Sequence, residues 1–138
     1  TYFAGALGER FAKKHILAFI YFTRSVVITV FLLVPLSPAS VYVFAACMGV
    51  LWLSTVPPTT ALVAQIFGVA HLSMLGGFVF FSHQLGSFMG VWLGGFLYDR
   101  LGNYDIVWLL SIALGVLAGA VNLPVRESAI ERPAAQTA

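Results

Sequence analysis

The sequence predicts an all-α fold, a polytopic transmembrane helical bundle. Three observations carry that expectation. The 138-residue chain is 60% hydrophobic and only 9% charged, with a mean hydropathy of +0.96, whereas soluble domains carry about 25% charged residues. Its few charges cluster between long windows that hold almost none. The period-two alternation that a membrane barrel requires is missing. A net charge of +2 without a basic stripe gives no nucleic-acid footprint. Cys47, the single cysteine, rules out an internal disulfide and reads as inert packing.

Taken in order, residues 1–7 read as the tail of a preceding apolar helix, and residues 8–14 as a charged loop. The opening Thr1-Tyr2-Phe3 has no methionine, basic leader or signal-cleavage pattern, so the chain reads as part of a larger protein. The first full span covers about 15–34 and stops at the prolyl turn Pro35-Leu36-Ser37-Pro38. A second window, about 39–67, is broken by Pro57-Pro58. Two missing amide donors there free carbonyls near Leu53 and Ser54, which Thr55, Thr59 and Thr60 can partly serve. The third span covers about 72–98 and the fourth about 104–125. Each window holds about 20 residues or more, enough for roughly 30 Å of hydrocarbon at about 1.5 Å per residue. Residues 1–125 thus form one membrane domain, and 126–138, polar and containing Pro and Ala, a loose tail.

The loops set the orientation. With residues 8–14 cytoplasmic, four spans return the tail to the same side, which then holds Arg10, Lys13, Lys14, Arg126 and Arg132. The opposite side holds Arg100, and the positive-inside bias favours this arrangement. Trp108 and Tyr104 fall near the outer end of the last span, where amphipathic rings favour the interface.

Two motifs carry a family resemblance. Gly5-Ala6-Leu7-Gly8-Glu9-Arg10-Phe11-Ala12-Lys13-Lys14 resembles the cytoplasmic signature loop of the major facilitator superfamily, with Glu9 for the usual Asp and Ala12 where Gly is common. The glycine-rich run from Gly86 into Leu97-Tyr98-Asp99-Arg100-Leu101-Gly102-Asn103-Tyr104-Asp105 looks like the eleventh helix and outer loop of its monocarboxylate and oxalate–formate branch. The resemblance implies that the four spans are helices nine to twelve, part of the C-terminal six-helix half of that fold. It further implies that Gly5, Glu9 and Arg10 act as a charged latch between helix ends, and that the missing helices of the same transporter are partners. Lys13 and Lys14 read more simply as solvated, topology-setting charges.

The third span is the most informative. Ser82-His83-Gln84 places three hydrogen-bonding side chains inside an apolar run long enough to cross a bilayer, where retained polar groups face a partner helix or a watery cavity. At 100° per residue, His83 shares a face with Gly86, Ser87, Gly90 and Gly94. These glycines read as a seam for close helix approach. His83 falls near the midplane, where it could meet a carboxylate, carry a coupling proton, or be a neutral His bonded to a neighbouring helix. Trp52, one turn before the break, could line the path or fill the core. Arg24 lies too deep in the first span to reach the surface easily. Because the ninth helix of the superfamily is peripheral, pairing with a carboxylate or helix-end carbonyls elsewhere in the protein is the favoured reading.

No nucleophile elbow, metal-spaced His pair or phosphate-binding Gly loop occurs in the sequence, so neither an enzyme nor a cofactor is expected. The resemblance implies a secondary transporter that moves a small organic anion, such as a monocarboxylate, by alternating access, with a proton or by exchange. It would sit in the lipid of a plasma membrane, a bacterial inner membrane, with its C-terminus cytoplasmic. Drug or metabolite efflux is the alternative within transport, and a non-transporting scaffold or sensor the alternative outside it.

Overall fold

A computed structural model describes residues 12–130, and among these every regular element is helical. The helices are α1 (Lys13–Leu33), α2 (Pro38–Leu53), α3 (Val56–Phe67), α4 (Leu72–Leu101) and α5 (Asp105–Asn122), with a single 3₁₀ turn at Val69–His71 before α4. α1, the α2–α3 pair and α5 are long and apolar enough to cross a membrane. α4 is the longest, at 30 residues, but it carries Ser82-His83-Gln84 in its first half and falls outside that set.

Each boundary has a local cause. Val34 is extended, as a residue before proline must be, and its N–H still closes the last turn of α1 on the Val30 carbonyl. Ser37 then caps α2. The Ser40 N–H donates to Ser37 Oγ at 3.1 Å and the Ser37 N–H donates to Ser40 Oγ at 2.9 Å, a reciprocal capping box with Pro38 at the first helical position. α3 and α4 end on Gly68 and Gly102, at φ of 82° and 71°, a region that residues with a Cβ enter at a cost.

The proline pair splits the second window into two helices. Pro57 and Pro58 occupy the first turn of α3, where an amide donor has no intrahelical partner to lose. The hydroxyls do serve the break, but not at the carbonyls of Leu53 and Ser54. Ser54 Oγ donates to the Val50 carbonyl, Thr55 Oγ1 to Trp52, Thr59 Oγ1 to Thr55 and Thr60 Oγ1 to Val56, at 2.7–3.0 Å.

α1 is the centre of the described bundle, and its packing partner is chiefly α5. Leu17, Ala18, Ile20, Ser25 and Ile28 are buried on it. Gly115 and Gly119 of α5 make the close approach possible. A Cβ at Gly119 would stand 2.9 Å from the Phe22 ring, and one at Gly115 would fall on the Ser25 side chain. Ser25 Oγ reaches the carbonyls of Tyr21 on its own helix and Ile112 on α5, both at 3.2 Å. This small-residue seam with a polar clasp is the packing device of helices in lipid, and among the described residues it lies on the last span. No atom lies within 4 Å of a Cβ built at Gly86 or Gly90, and only Val107, at 3.9 Å, approaches one at Gly94. Among the described residues, then, the expected seam on α4 is uncovered.

The C-terminal end of α1, the first half of α2 and the start of α5 meet in an aromatic cluster. Phe31 stacks on Phe44 at 4.2 Å, and Trp108 stands edge-on to both at 5.9 Å. Trp108, expected at the interface, therefore packs partly inside the bundle. At the opposite end, residues 126–130, expected to be loose, are tied down. Glu127 Oε1 accepts from the Lys14 N–H at 2.6 Å, Gln65 Nε2 donates to the Glu127 carbonyl at 2.9 Å, and the Ile130 N–H donates to the Ile66 carbonyl at 3.0 Å. Residues 131–138 lie outside the described residues.

Candidate functional site

α4 touches chiefly α3 and the turn that precedes it, with few contacts to α5, and Ser82, His83 and Gln84 are exposed. They stand eleven to thirteen positions into a helix of 30 residues. Ser82 and Gln84 make no side-chain hydrogen bond among the described residues, so both keep their donors and acceptors for a solute, water or another helix. Ser87, a turn below His83 on the same face, is internally occupied, its Oγ donating to the His83 carbonyl at 2.9 Å.

His83 does have a neighbour. Its ring stands edge-on to the Trp52 indole at a centroid distance of 5.9 Å. The same indole carries Arg24 on its face, with the guanidinium carbon 4.8 Å from the ring centroid, and Tyr21 lies 6.0 Å from that carbon. Three candidates from three separate windows are thereby brought together, with Trp52 in the middle. Trp52 neither fills a core nor stands alone, for it is 50% exposed and bridges α1 to α4. Among the described residues Arg24 meets aromatic faces; the carboxylate or helix-end carbonyls expected of it belong to the remainder of the protein. The bridge sits where α2 gives way to α3, about one turn before Pro57-Pro58.

The charged residues of the signature loop are only partly in view. Gly5, Glu9 and Arg10 lie outside the described residues. Lys13 Nζ donates to Gln65 Oε1 at 2.7 Å, and Lys14 contributes its backbone N–H to Glu127. Lys13 thus ties α1 to α3. The carboxylate of Glu127 lies at the N-terminal end of α1, where free amide donors and the helix dipole favour an anion.

An apolar groove of about 460 Å³ separates α1 from α2, lined by Val27, Val30, Phe31, Val43, Phe44 and Cys47. Cys47 is exposed there and not packed in a core. The Ser37 and Ser40 hydroxyls at its mouth are committed to the helix cap, which leaves the groove little with which to recognise a polar solute.

The interhelical contacts that sequence reasoning missed are Ser25 with Ile112 and Gly115, and Phe22 with Gly119. The four-residue spacing of Gly115 and Gly119 was their visible signal. Compared with known proteins, residues 1–138 match the family model described as Major Facilitator Superfamily. No curated protein and no solved structure matches the chain.

Proposed function

The chain belongs to the Major Facilitator Superfamily, a family of membrane-embedded secondary transporters, and we propose that it forms the ninth to twelfth helices of one that moves a small organic anion, a monocarboxylate in the first instance. The observation that carries this reading is the uncovered polar face of α4. Three adjacent hydrogen-bonding side chains stand near mid-span on a helix that from Met74 to Leu97 is otherwise apolar or Gly apart from Ser87, where polar groups persist if they face protein or water. Ser82, His83 and Gln84 line the solute path, and His83 takes either the solute carboxylate or a coupling proton.

The same layout supports a reading of alternating access. The α2–α3 break at Pro57-Pro58 is a hinge at the level of the polar face. The signature loop, through Gly5, Glu9 and Arg10, fastens the cytoplasmic helix ends in one state and frees them in the other, biasing a rigid-body switch. The Lys13 end is cytoplasmic, the tail with it, in a plasma membrane. Gly86, Gly90 and Gly94 receive a helix from the remainder of the transporter.

Efflux of an apolar drug or metabolite is the second reading, supported by the exposed Phe80, Phe81 and Phe88 around the polar trio. Uptake of radiolabelled acetate and lactate by the full-length protein in proteoliposomes separates the two. Saturable uptake that falls at least tenfold on His83→Ala or Gln84→Ala, with protein yield unchanged, supports the anion reading. Lack of carboxylate movement alongside export of lipophilic cations contradicts it.

A further inference from the structure

A side chain on an exposed helix face samples several rotamers, and it recognises a solute group well only when something holds it in one of them. His83 has one such hold. Among the described residues its ring makes no hydrogen bond. Its neighbour is the Trp52 indole, edge-on with ring centroids 5.9 Å apart and 67° between the planes. Edge-to-face is an arrangement that ring quadrupoles favour, so the indole selects one setting of the imidazole. Ser82 and Gln84, on either side, have no ring beside them.

Trp52 needs a hold of its own, for it is 50% exposed. Arg24 supplies it, with the guanidinium carbon 4.8 Å from the indole centroid and 6.0 Å from that of Tyr21. Arg24 lies eleven residues beyond Lys13 on α1, and His83 eleven beyond Leu72 on α4. Both sit about 17 Å along their helices at roughly 1.5 Å per residue, with the indole of α2 between them at the same level. A charge at that depth is expensive unless something answers it. The ring face answers it, more strongly where water is scarce, and the ring is fixed in return. Cation, indole and imidazole thus follow one another from α1 through α2 to α4.

We propose that Trp52 is the positioning residue for His83, and that Arg24 acts by holding Trp52. Arg24 stays on the peripheral α1, away from the solute path, and does not touch the solute. Trp52 fixes the orientation in which the imidazole meets a solute carboxylate beside Ser82 and Gln84. The mid-membrane cation is thereby explained as a support for a ring, not as a ligand. This inference rests on the reading of Ser82, His83 and Gln84 as the lining of the solute path, and adds the two residues behind them.

The test is the initial rate of acetate and lactate uptake by the full-length protein in proteoliposomes, with thermal unfolding to confirm that each variant is folded. Trp52→Ala is expected to lower kcat/KM about two- to tenfold, the scale of one edge-to-face aromatic pair, and Trp52→Phe, which keeps a ring, by less. Arg24→Gln should lower it about two- to fivefold, the scale of one cation–π contact, and Arg24→Lys by less. In a Trp52→Ala background Arg24→Gln should have no further effect. In a His83→Gln background, which keeps a hydrogen-bonding side chain, neither substitution should change the remaining rate more than about twofold, because both act through the imidazole. A second readout is modification of His83 by diethyl pyrocarbonate in membranes, followed by mass spectrometry. It should quicken about two- to tenfold in Trp52→Ala as the ring loses its contact. Normal uptake by Trp52→Ala overturns the inference and leaves the solute-path reading standing, which His83→Ala tests by itself. Equal losses in the wild-type and His83→Gln backgrounds overturn it too, since a merely structural role would lower both alike. If wild type moves neither acetate nor lactate, the anion reading falls and this one with it.

Discussion

Replacing Gly115 by Ala should destabilise the protein, against the usual trend for glycine in a helix. A Gly→Ala change in an exposed helix interior gains about 1 kcal/mol. Here the added methyl lands on Ser25, whose hydroxyl bonds to the Tyr21 and Ile112 carbonyls at 3.2 Å and whose residue is only 4% exposed. The backbone is not the obstacle, since the Tyr21 oxygen would be 3.6 Å from the new Cβ. The hydroxyl must rotate away, and leaving a buried polar group unsatisfied costs about 1–3 kcal/mol. The net effect is a loss of about 1 kcal/mol, the remainder after the helix gain is subtracted. In a Ser25→Ala background there is no hydroxyl to displace, so the same substitution should become neutral or stabilising. Denaturant unfolding of the four proteins of this cycle, full length and in one detergent, measures the coupling directly. A coupling of about 1–3 kcal/mol with reversal of sign is expected for residues in contact. Equal effects of Gly115→Ala in both backgrounds would refute the α1–α5 seam.

Three further outcomes follow from the helix ends and the loops. Glu127→Ala removes the anion at the N-terminus of α1 and should cost about 1 kcal/mol in unfolding free energy, with Glu127→Gln costing less because it retains an acceptor; no change would mean that residues 126–130 are not docked. Ser37→Ala breaks the capping box of α2 and should lower stability by about 1 kcal/mol, with Ser37→Asn largely preserving it. With Cys47 replaced, Ser37→Cys and Asn103→Cys should react with an impermeant maleimide added outside intact cells; reaction only after access to the cytoplasmic side would invert the orientation.

The extent to which the sequence foretold this structure differs from element to element. Helix positions were legible because apolar windows and prolines act locally: Pro38 and Ser37 start α2, and Pro57-Pro58 divide the second window, each through backbone donors within one turn. Partners were not legible. Periodicity places Gly86, Gly90 and Gly94 on a face, yet says nothing about what meets that face, and in the described bundle the close approach occurs at Gly115 and Gly119 instead. Arg24 and Trp52 are 28 positions apart and Lys14 and Glu127 are 113 apart, so their contacts depend on how helices stack, which no local pattern encodes. The tail illustrates the same limit: Arg126 to Ile130 have a loop's composition, and only the exposed ends of α1 and α3 give their polar groups somewhere to bind.

The central claim is that the mid-helix polar face of α4 lines an aqueous solute path. Its most direct test is the reactivity of Ser82→Cys and Gln84→Cys towards a water-soluble methanethiosulfonate in the full-length protein in membranes, with Cys47 replaced and Phe80→Cys as the neighbouring comparison. The account predicts rapid modification of both polar-face cysteines, slowed by a small carboxylate such as acetate or lactate. Modification no faster than at Phe80→Cys, and insensitive to any carboxylate, would contradict it.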